Sequence, residues 1–456
     1  MKLAWLSLGP TTGENFVLSG NAFRVDGSIC GCHNSFQRYR PMPTLPRNIM
    51  LLIPNFGFGG AQQVFHDHSV ELTRLGYHVT ECVFNLDQAD AYPSGNPVIN
   101  LDVPGHGSAL TKIQHFWQRC TRARGAKKKT HTDVCISHLE GGDYVNLLSK
   151  SGEKTILCIH GSKVHDGEIL GWVGWFRQKV FMPFLYRRPD HIVTVSRDIR
   201  QELIEHYQLD PTRITTINNF FHPAKILGRA AEAIDPAYEP LFSHPHLMIS
   251  SGRLAKQKNQ APLLDVLAEL LKVQPDAKLV MLGDGELRND LVAQAQALGL
   301  KFYQAWNNDP LTEDYSLYFL GYQANPFPYI RRAKLFVFPS GWEGFPMALG
   351  EAMICGLPVV STDCPTGPRE MLAPTTAAGT RLAEAEYGEY GVLMPLLKDD
   401  YRQHVRQVWV ETLQKMLLDT DLRAHYAHQA QKRMEDFTAE RIFQQWEQVI
   451  QQVAAQ

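Results

Sequence analysis

The sequence predicts an α/β protein made of two successive strand–loop–helix series. Three observations carry this. Short apolar runs of strand length recur along the chain, separated by segments of helical period, the alternation that builds parallel sheets with helices on their faces. A length of 456 residues exceeds one ordinary core and suits two domains of roughly 200 residues each. The rhythm breaks in the middle, at residues 224–246, where Pro236, Pro240 and Pro245 fall with no clear apolar face.

Residues 1–45 are rich in Gly, Pro, Ser and Asn, lack sustained periodicity and read as an irregular extension ending near Met42. Ile49–Pro54 is the first buried parallel strand. A loop, Phe56 to Gly60, leads to a helix with Ala61, Val64, Phe65, Leu72 and Leu75 on one face. Gly76 stops that helix, and His78–Phe84 is the next strand. Further strands are expected at Asp133–Ser137, Thr155–His160, His191–Ser196 and Arg213–Asn218. The first domain is thus 46–225 and the linker 226–246. The second domain, 247–436, opens on the strand Leu247–Gly252 and a helix carrying Leu263, Val266, Leu267, Leu270 and Leu271. The strand Lys278–Leu282 follows, then a helix through Leu287, Leu291 and Leu298 that closes at Gly299. Tyr318–Gly321, Leu335–Pro339 and Leu357–Ser361 are the later strands, and residues 301–317 read as an inserted loop. At 437–456, Ile442, Trp446, Val449 and Ile450 form the apolar stripe of a last helix, with Thr438 placed to cap it and core packing as its role.

Composition narrows the class. Hydrophobic residues make up 44% and charged residues 20%, as in an ordinary globular protein. A net charge of -2 argues against a dedicated nucleic-acid binder and leaves room for a local basic patch. No run approaches the ~18–20 apolar residues of a membrane span, and Met1–Pro10 is too short for a secretory signal. Several of the eight cysteines lie in apolar strand-like runs, which predicts buried, reduced thiols and a cytoplasmic protein. Cys30 and Cys32 have no second Cys/His pair at zinc-site spacing, so no metal is expected.

The most informative stretch runs from Phe336 to Glu351, FVFPSGWEGFPMALGE. A strand ends near Pro339, a loop carries Glu343, Pro346 suits the first turn of a helix and Gly356 its C-terminal cap. In a parallel sheet that loop lies at the carboxyl edge, where ligands bind. The helix start offers N–H groups to a phosphate. Glu351 can reach a ribose diol and Glu343 the sugar end of one ligand, although two glutamates at this spacing also fit a solvated surface. Ser250 to Lys258 also follows a strand and precedes a helix. Arg253 supplies a planar fork and Lys258 a mobile point charge, which suit a diphosphate leaving group or a solvated basic turn. Gly283-Asp284-Gly285 and Thr362 to Glu370 end further strands of the same half, so four loops share one edge. In the first half, Gly57-Phe58-Gly59-Gly60-Ala61-Gln62 fails the dinucleotide fingerprint at its sixth position and reads as a close-approach loop. His160 ends the Thr155–His160 strand, where a polar side chain can face an interdomain cleft.

Together these segments resemble glycosyltransferase family 4, of the GT-B fold, over roughly residues 48–450. The resemblance is carried by Glu343 and Glu351 at their spacing, by Gly252-Arg253-Leu254 to Lys258, by Gly283-Asp284-Gly285, Val195-Ser196, His160-Gly161 and Gly59-Gly60-Ala61. Phe319 to Phe327 and Asp363 to Pro368 are similar to a bacterial subgroup acting on cell-envelope or exported glycans. The resemblance implies two Rossmann-like domains facing across a cleft and a retaining, usually metal-independent hexosyltransferase. The donor it implies is a nucleotide-diphosphate sugar, often a UDP-sugar, and the acceptor a glycan or a lipid-linked glycan. By that implication Arg253 and Lys258 hold the diphosphate and Glu351 the ribose. Glu343 with Gly344, Phe345, Pro346 and Met347 contacts the donor sugar or phosphate. Gly283 and Asp284 line the donor, Gly321 and Tyr322 lie near the base, Gly59 and Gly60 close over the diphosphate, and His160 nears the reacting face of the sugar. The last helix would pack back on the N-terminal domain. The first 45 residues, the 301–317 insertion and Gln62 in place of the more frequent Glu depart from the family pattern.

Between Val103 and Thr132 no acidic residue occurs, while Lys112, Arg119, Arg122, Arg124, Lys127, Lys128 and Lys129 do. Trp172, Trp175, Phe176, Phe181 and Phe184 stand among basic residues in Gly171–Arg188. These fit peripheral docking on an anionic cytoplasmic membrane face, or a solvated basic loop beside a buried aromatic helix. A nucleotide-sugar epimerase and a non-catalytic sugar-nucleotide sensor are the competing functions. The epimerase gives no reason for the paired glutamates, and the sensor none for Arg253, Lys258 and Glu343 together.

Overall fold

The computed structural model describes residues 47–57, 59–86, 94–164, 174–175, 177–307, 310–312, 314–376, 382–397 and 403–456. The extension assigned to 1–45, with Cys30 and Cys32, lies outside the described residues, as do Phe58, Trp172 and Phe176.

The first sheet holds β1 (Asn48–Ile53), β2 (His78–Val83), β3 (Val98–Asn100), β4 (Val134–His138), β5 (Lys154–Ile159), β6 (His191–Thr194) and β7 (Ile214–Thr216). Their order is β3-β2-β1-β4-β5-β6-β7, every pair parallel. The crossovers carry α1 (Gly60–Arg74), α2 (Ala109–Lys129), α3 (Glu140–Leu148), α4 (Met182–Tyr186) and α5 (Arg197–Tyr207). β4 and β6 are buried along their whole length, which is why they read as continuous apolar runs rather than alternating ones. Short β3 and basic α2 had no clear apolar period in the sequence and were not expected.

The linker is not a loose connector. It folds as α6 (Pro223–Ala230) and α7 (Glu239–Phe242), each with proline in the first turn, and buries Ile226, Ala230, Ile234, Leu241 and Phe242.

The second sheet holds β8 (Leu247–Ser251), β9 (Lys278–Leu282), β10 (Phe302–Gln304), β11 (Leu317–Gly321), β12 (Leu335–Phe338), β13 (Val359–Thr362), β14 (Glu386–Tyr387) and β15 (Val392–Met394). Their order is β10-β11-β9-β8-β12-β13-β15-β14, parallel apart from the β14–β15 edge pair. The stretch at 301–317 is therefore more than an inserted loop. It contributes the edge strand β10, whose three residues are too few to reveal a period. Around this sheet lie α8 (Gln260–Val273), α9 (Arg288–Ala297), α10 (Phe327–Arg332), α11 (Met347–Ile354), α12 (Pro368–Leu372), α13 (Gln403–Leu418) and α14 (Thr420–Met434).

The last helix, α15 (Ala439–Ala455), buries Ile442, Phe443, Trp446, Val449 and Ile450. Phe443 and Trp446 pack their rings on His68 of α1, so the helix returns to the first lobe. Thr438 precedes it without a side-chain cap. Its neighbours pair with Phe221 instead: Phe221 N–H donates to the Phe437 carbonyl at 2.8 Å and Ala439 N–H to the Phe221 carbonyl at 3.3 Å.

Candidate functional site

The strands build outward to either side of the β1–β4 junction in the first sheet and of the β8–β12 junction in the second. The carboxyl ends of strands flanking such a junction open a crevice. The loops singled out in the second half leave β8 and β12, with those of β9 and β13 beside them. They interlock. Gly341 N–H donates to the Gln257 carbonyl at 2.8 Å, and Gln257 Nε2 to the Trp342 carbonyl at 2.9 Å. Asn259 Nδ2 donates to the Pro339 carbonyl at 3.1 Å and Leu254 N–H to the Asp284 carbonyl at 3.0 Å. Thr366, held at φ 64, donates its hydroxyl to the Glu343 carbonyl. At Gly283, φ 136, any Cβ would strike the Gly252 carbonyl, so the close approach of these two loops requires glycine.

Inside this cluster Lys258 Nζ meets Glu343 Oε1 at 2.7 Å and lies 5.4 Å from the centre of the Phe338 ring. The Glu343 side chain is 7% exposed. Glu351, on α11, has its carboxyl pushed up to about 7 by burial, against a hydrogen bond with Gln63 of α1 that lowers it. The first turn of α11 presents N–H groups that lack intrahelical acceptors, the usual anion-binding end of a helix.

The first lobe closes on this cluster. A Cβ on Gly344 would strike the His160 carbonyl, and one on Gly60 would lie 3.7 Å from Met347 Cγ. Asn219 Nδ2 donates to the Phe345 carbonyl at 3.3 Å. Glu370 accepts from Arg197 N–H at 2.8 Å and from Asn218 Nδ2 at 2.9 Å, joining α5 to α12. The His160 backbone and Gly60 thus meet Gly344 and Met347 across one cleft, and Gln63 reaches Glu351; Lys258 and Glu343 pair within the second-lobe loops, and Gly59 stands next to Gly60 against Gln62. Phe345 contributes its backbone only, since its ring is buried against Phe437. Pro346 is the N-cap of α11, one position before the first turn in which the sequence placed it. Arg253 is exposed beside the Gly283 turn. Gly321 carbonyl accepts from Gly283 N–H at 2.8 Å, and Tyr322 is exposed next to it. Asp284 turns its carboxylate to its own loop, accepting from Gly285 N–H at 2.8 Å and Arg288 at 3.0 Å.

Sequence reasoning missed Gln63, Asn219 and His138, and reached Glu370 only as the end of the Thr362 to Glu370 loop. His138 ends β4 as His160 ends the β5 run, so the strand-end rule that found one would have found the other. His138 Nδ1 faces His160 Nε2 at 2.8 Å. With Cys158 these side-chain ligand atoms lie within 4.8 Å of one another. As placed, the two rings lie within hydrogen-bond distance of each other.

The basic segment folds as α2, and it divides in two. Lys127 is buried, bonded to Glu153 at 2.7 Å and to Asn146, and leaves the expected basic patch. Arg119, Arg122 and Arg124 donate to backbone carbonyls at Pro104, Leu101 and Leu148. Lys112, Lys128 and Lys129 remain exposed, together with Leu110, Ile113 and Trp117 at helical spacing. Trp175 and Phe184 are exposed as well, while Phe181 is half-buried against Tyr144. Among the described residues no helix is long and apolar enough to cross a membrane.

Two Rossmann-like sheets whose strand-end loops meet across one cleft define the GT-B class of enzyme. Comparison with known proteins agrees. Residues 58–225 match the family model described as Glycosyltransferase Family 4, and residues 234–385 the one described as Glycosyl transferases group 1. The chain is 31% identical over 277 residues to an uncharacterized glycosyltransferase of Methanocaldococcus jannaschii, a match covering 59% of this chain and 65% of that one. It is 25% identical over 408 residues to a Campylobacter jejuni N-acetylgalactosamine-N,N'-diacetylbacillosaminyl-diphospho-undecaprenol 4-alpha-N-acetylgalactosaminyltransferase, covering 86% and 96%. Anabaena HepE, solved in complex with UDP and glucose, shares the fold with a TM-score of 0.65 at 18% identity, covering 88% and 98%. The chain belongs to the GT-B glycosyltransferases, with a family 4 domain followed by a group 1 domain. The epimerase and sensor readings are set aside.

Proposed function

We propose that this enzyme moves a hexosyl group from a UDP-sugar, with retention at the anomeric carbon, to a lipid-linked glycan during assembly of an envelope polysaccharide. The observation that carries the reading is the cleft itself: the Lys258–Glu343 pair and the start of α11 on one wall, His160 on the other. The Campylobacter relative's name, which specifies a diphospho-undecaprenol acceptor, and the UDP and glucose in the HepE complex support the choice of substrates.

In this reading Arg253, Lys258 and the N–H groups of α11 hold the diphosphate, and Glu351 accepts from the ribose diol once Gln63 releases it. Glu343 orients Lys258 and meets the donor sugar with the Gly344–Met347 backbone. Gly59 and Gly60 cover the diphosphate, Gly283 and Asp284 line it, and Gly321 and Tyr322 flank the base. The bond from the anomeric carbon to phosphate oxygen breaks, and its electron pair goes to the diphosphate. The acceptor oxygen bonds the same carbon on the same face, and its proton passes to the leaving diphosphate. Fixed cations and helix N–H groups stabilise that charge where many transferases use a divalent ion. The exposed Leu110, Ile113 and Trp117 on α2, with Lys112, Lys128 and Lys129, would rest the first lobe on an anionic membrane surface bearing the acceptor.

A thermal-shift screen of UDP, UDP-hexoses, UDP-N-acetylhexosamines and GDP- and ADP-sugars, each with and without EDTA, tests the donor. Stabilisation by uridine compounds that survives EDTA is the expected result. Stabilisation by no uridine compound overturns it.

A further inference from the structure

Behind His160 stands a row of imidazoles that the transfer step above does not use. β4 and β5 are paired so that His138 lies opposite Cys158, and the β5 run continues to His160. The His138 and His160 rings stack at 5.0 Å with 26° between their planes, and Nδ1 of the first faces Nε2 of the second at 2.8 Å. On its other side, His138 Nε2 faces His68 Nδ1 at 3.4 Å. His138 is wholly buried and His68 nearly so, walled in by Phe65, Phe443 and Trp446. The residue after His138, Leu139, is held at φ 66, a backbone setting that a bulky side chain adopts at a cost and that recurs at functional sites.

Burial keeps all three rings neutral: His68 and His160 are pushed down to about 3, and His138 well below its ordinary value. A neutral imidazole has one N–H and one bare nitrogen. Two facing nitrogens must be one of each, so the protons of the row all point the same way. His68 Nε2 is buried with no partner among the described residues. If the row pointed toward His68, that atom would be an orphaned N–H, the rarer and costlier defect. If it points toward His160, the atom is only a bare lone pair. The second arrangement leaves His160 with Nδ1–H, since its Nε2 is engaged by His138.

We propose that His138 is a positioning residue for His160: backed by His68, it fixes the His160 ring in the Nδ1–H tautomer, so that one hydrogen-bond donor of set direction meets the nucleotide sugar. This rests on the reading of His160 as a group that contacts the donor. The three-ring row adds what that reading lacks, a reason for one ring orientation and one tautomer without a charged partner.

The test uses the full chain, UDP-glucose and UDP-galactose as probes, and three variants at one position. His138→Asn can place an amide N–H near the original Nδ1–H and is expected to keep turnover within a few-fold. His138→Asp offers only an acceptor, demands the opposite His160 tautomer, and is expected to lose at least about tenfold in kcat with little change in KM, as wrong-tautomer variants do. His138→Leu removes the partner and is expected to fall with Asp. Thermal unfolding checks that each variant folds, and 15N NMR of histidine-labelled wild type reads the tautomer whether or not the variants fold. Finding His160 as Nε2–H, or equal kcat in the Leu, Asp and wild-type proteins, overturns the proposal. Full activity in His160→Ala overturns instead the reading on which it rests, and the two failures are told apart by which position is silent.

Discussion

Lys258 and Glu343 stand 85 residues apart in the chain and meet at 2.7 Å across the loops that leave β8 and β12. The glutamate side chain is almost wholly buried, so the lysine is oriented by a partner rather than by solvent. In the proposed reading this pair, at the carboxyl ends of β8 and β12, marks where a diphosphate would sit. Arg253, exposed beside the Gly283 turn, would supply the second positive charge.

Arg253→Ala should leave the fold intact and remove about 2–4 kcal/mol of transition-state stabilisation, as loss of other preorganised charge-stabilising groups does. Steady-state turnover of a UDP-sugar checks this. A variant with unchanged kcat/KM would remove Arg253 from the site.

The Glu351 carboxyl, held up at about 7 by burial, gives two linked pH effects. A raised carboxyl pKa contributes to stability fully below the unfolded value, and that contribution is lost as pH rises through 7. Binding to a ribose diol needs the ionised form, so UDP-glucose should bind more tightly as pH rises from 6 to 8. Calorimetry of wild type and Glu351→Gln across that range checks the sign, since the variant should show a flat profile. An equally sloped variant would assign the effect elsewhere.

Gly344→Ala places a methyl group against the His160 carbonyl. The lobes must then part, at a cost of about 1–3 kcal/mol as in other overpacked sites. A lower melting temperature and weaker UDP-glucose binding should appear together. Their absence would mean that the two lobes do not meet at this point in solution.

Lys127→Ala should destabilise the first lobe by about 3–5 kcal/mol, because it strands Glu153 in the interior. Burial alone would raise the Glu153 carboxyl, yet the Lys127 charge and hydrogen bonds outweigh it and hold it below its ordinary value. That stability is present above the unfolded pKa and is lost as pH falls through the folded one. Urea unfolding at pH 7 and pH 4 measures both, and the wild-type advantage should shrink at the lower pH.

Replacing Leu110, Ile113 and Trp117 together with serine should abolish sedimentation with phosphatidylglycerol vesicles while leaving the melting temperature unchanged, because the three side chains are exposed. Each exposed lysine on α2 should add ~1 kcal/mol of salt-sensitive binding. Unaltered sedimentation would place the membrane contact on another surface.

The strands that bury both faces were legible in the sequence because burial on both sides leaves an unbroken apolar run: Lys278–Leu282 was located to the residue. The loop at Glu343 and the turn at Lys258 were legible because glycine, proline and charge cluster where a strand must hand over to a helix. The short edge strands β3 and β10 were not, since three residues do not define a period, and Pro236 and Pro240, read as breaks, instead stand in the first turn of short helices. Lys127 looked like one more cation of a basic run. Its neighbours in sequence say nothing of Glu153, which reaches it from another element.

The sequence by itself determined the alternation of strands and helices, the two-lobed plan and the residue types gathered at strand ends, because these follow from local period and turn chemistry. Only the tertiary structure decided which strand ends face one another, that Lys258 is paired with Glu343, and that His68, His138 and His160 form one row. Such pairings depend on the order of strands in a sheet and on how two lobes close, and neither is written in the spacing of residues along the chain.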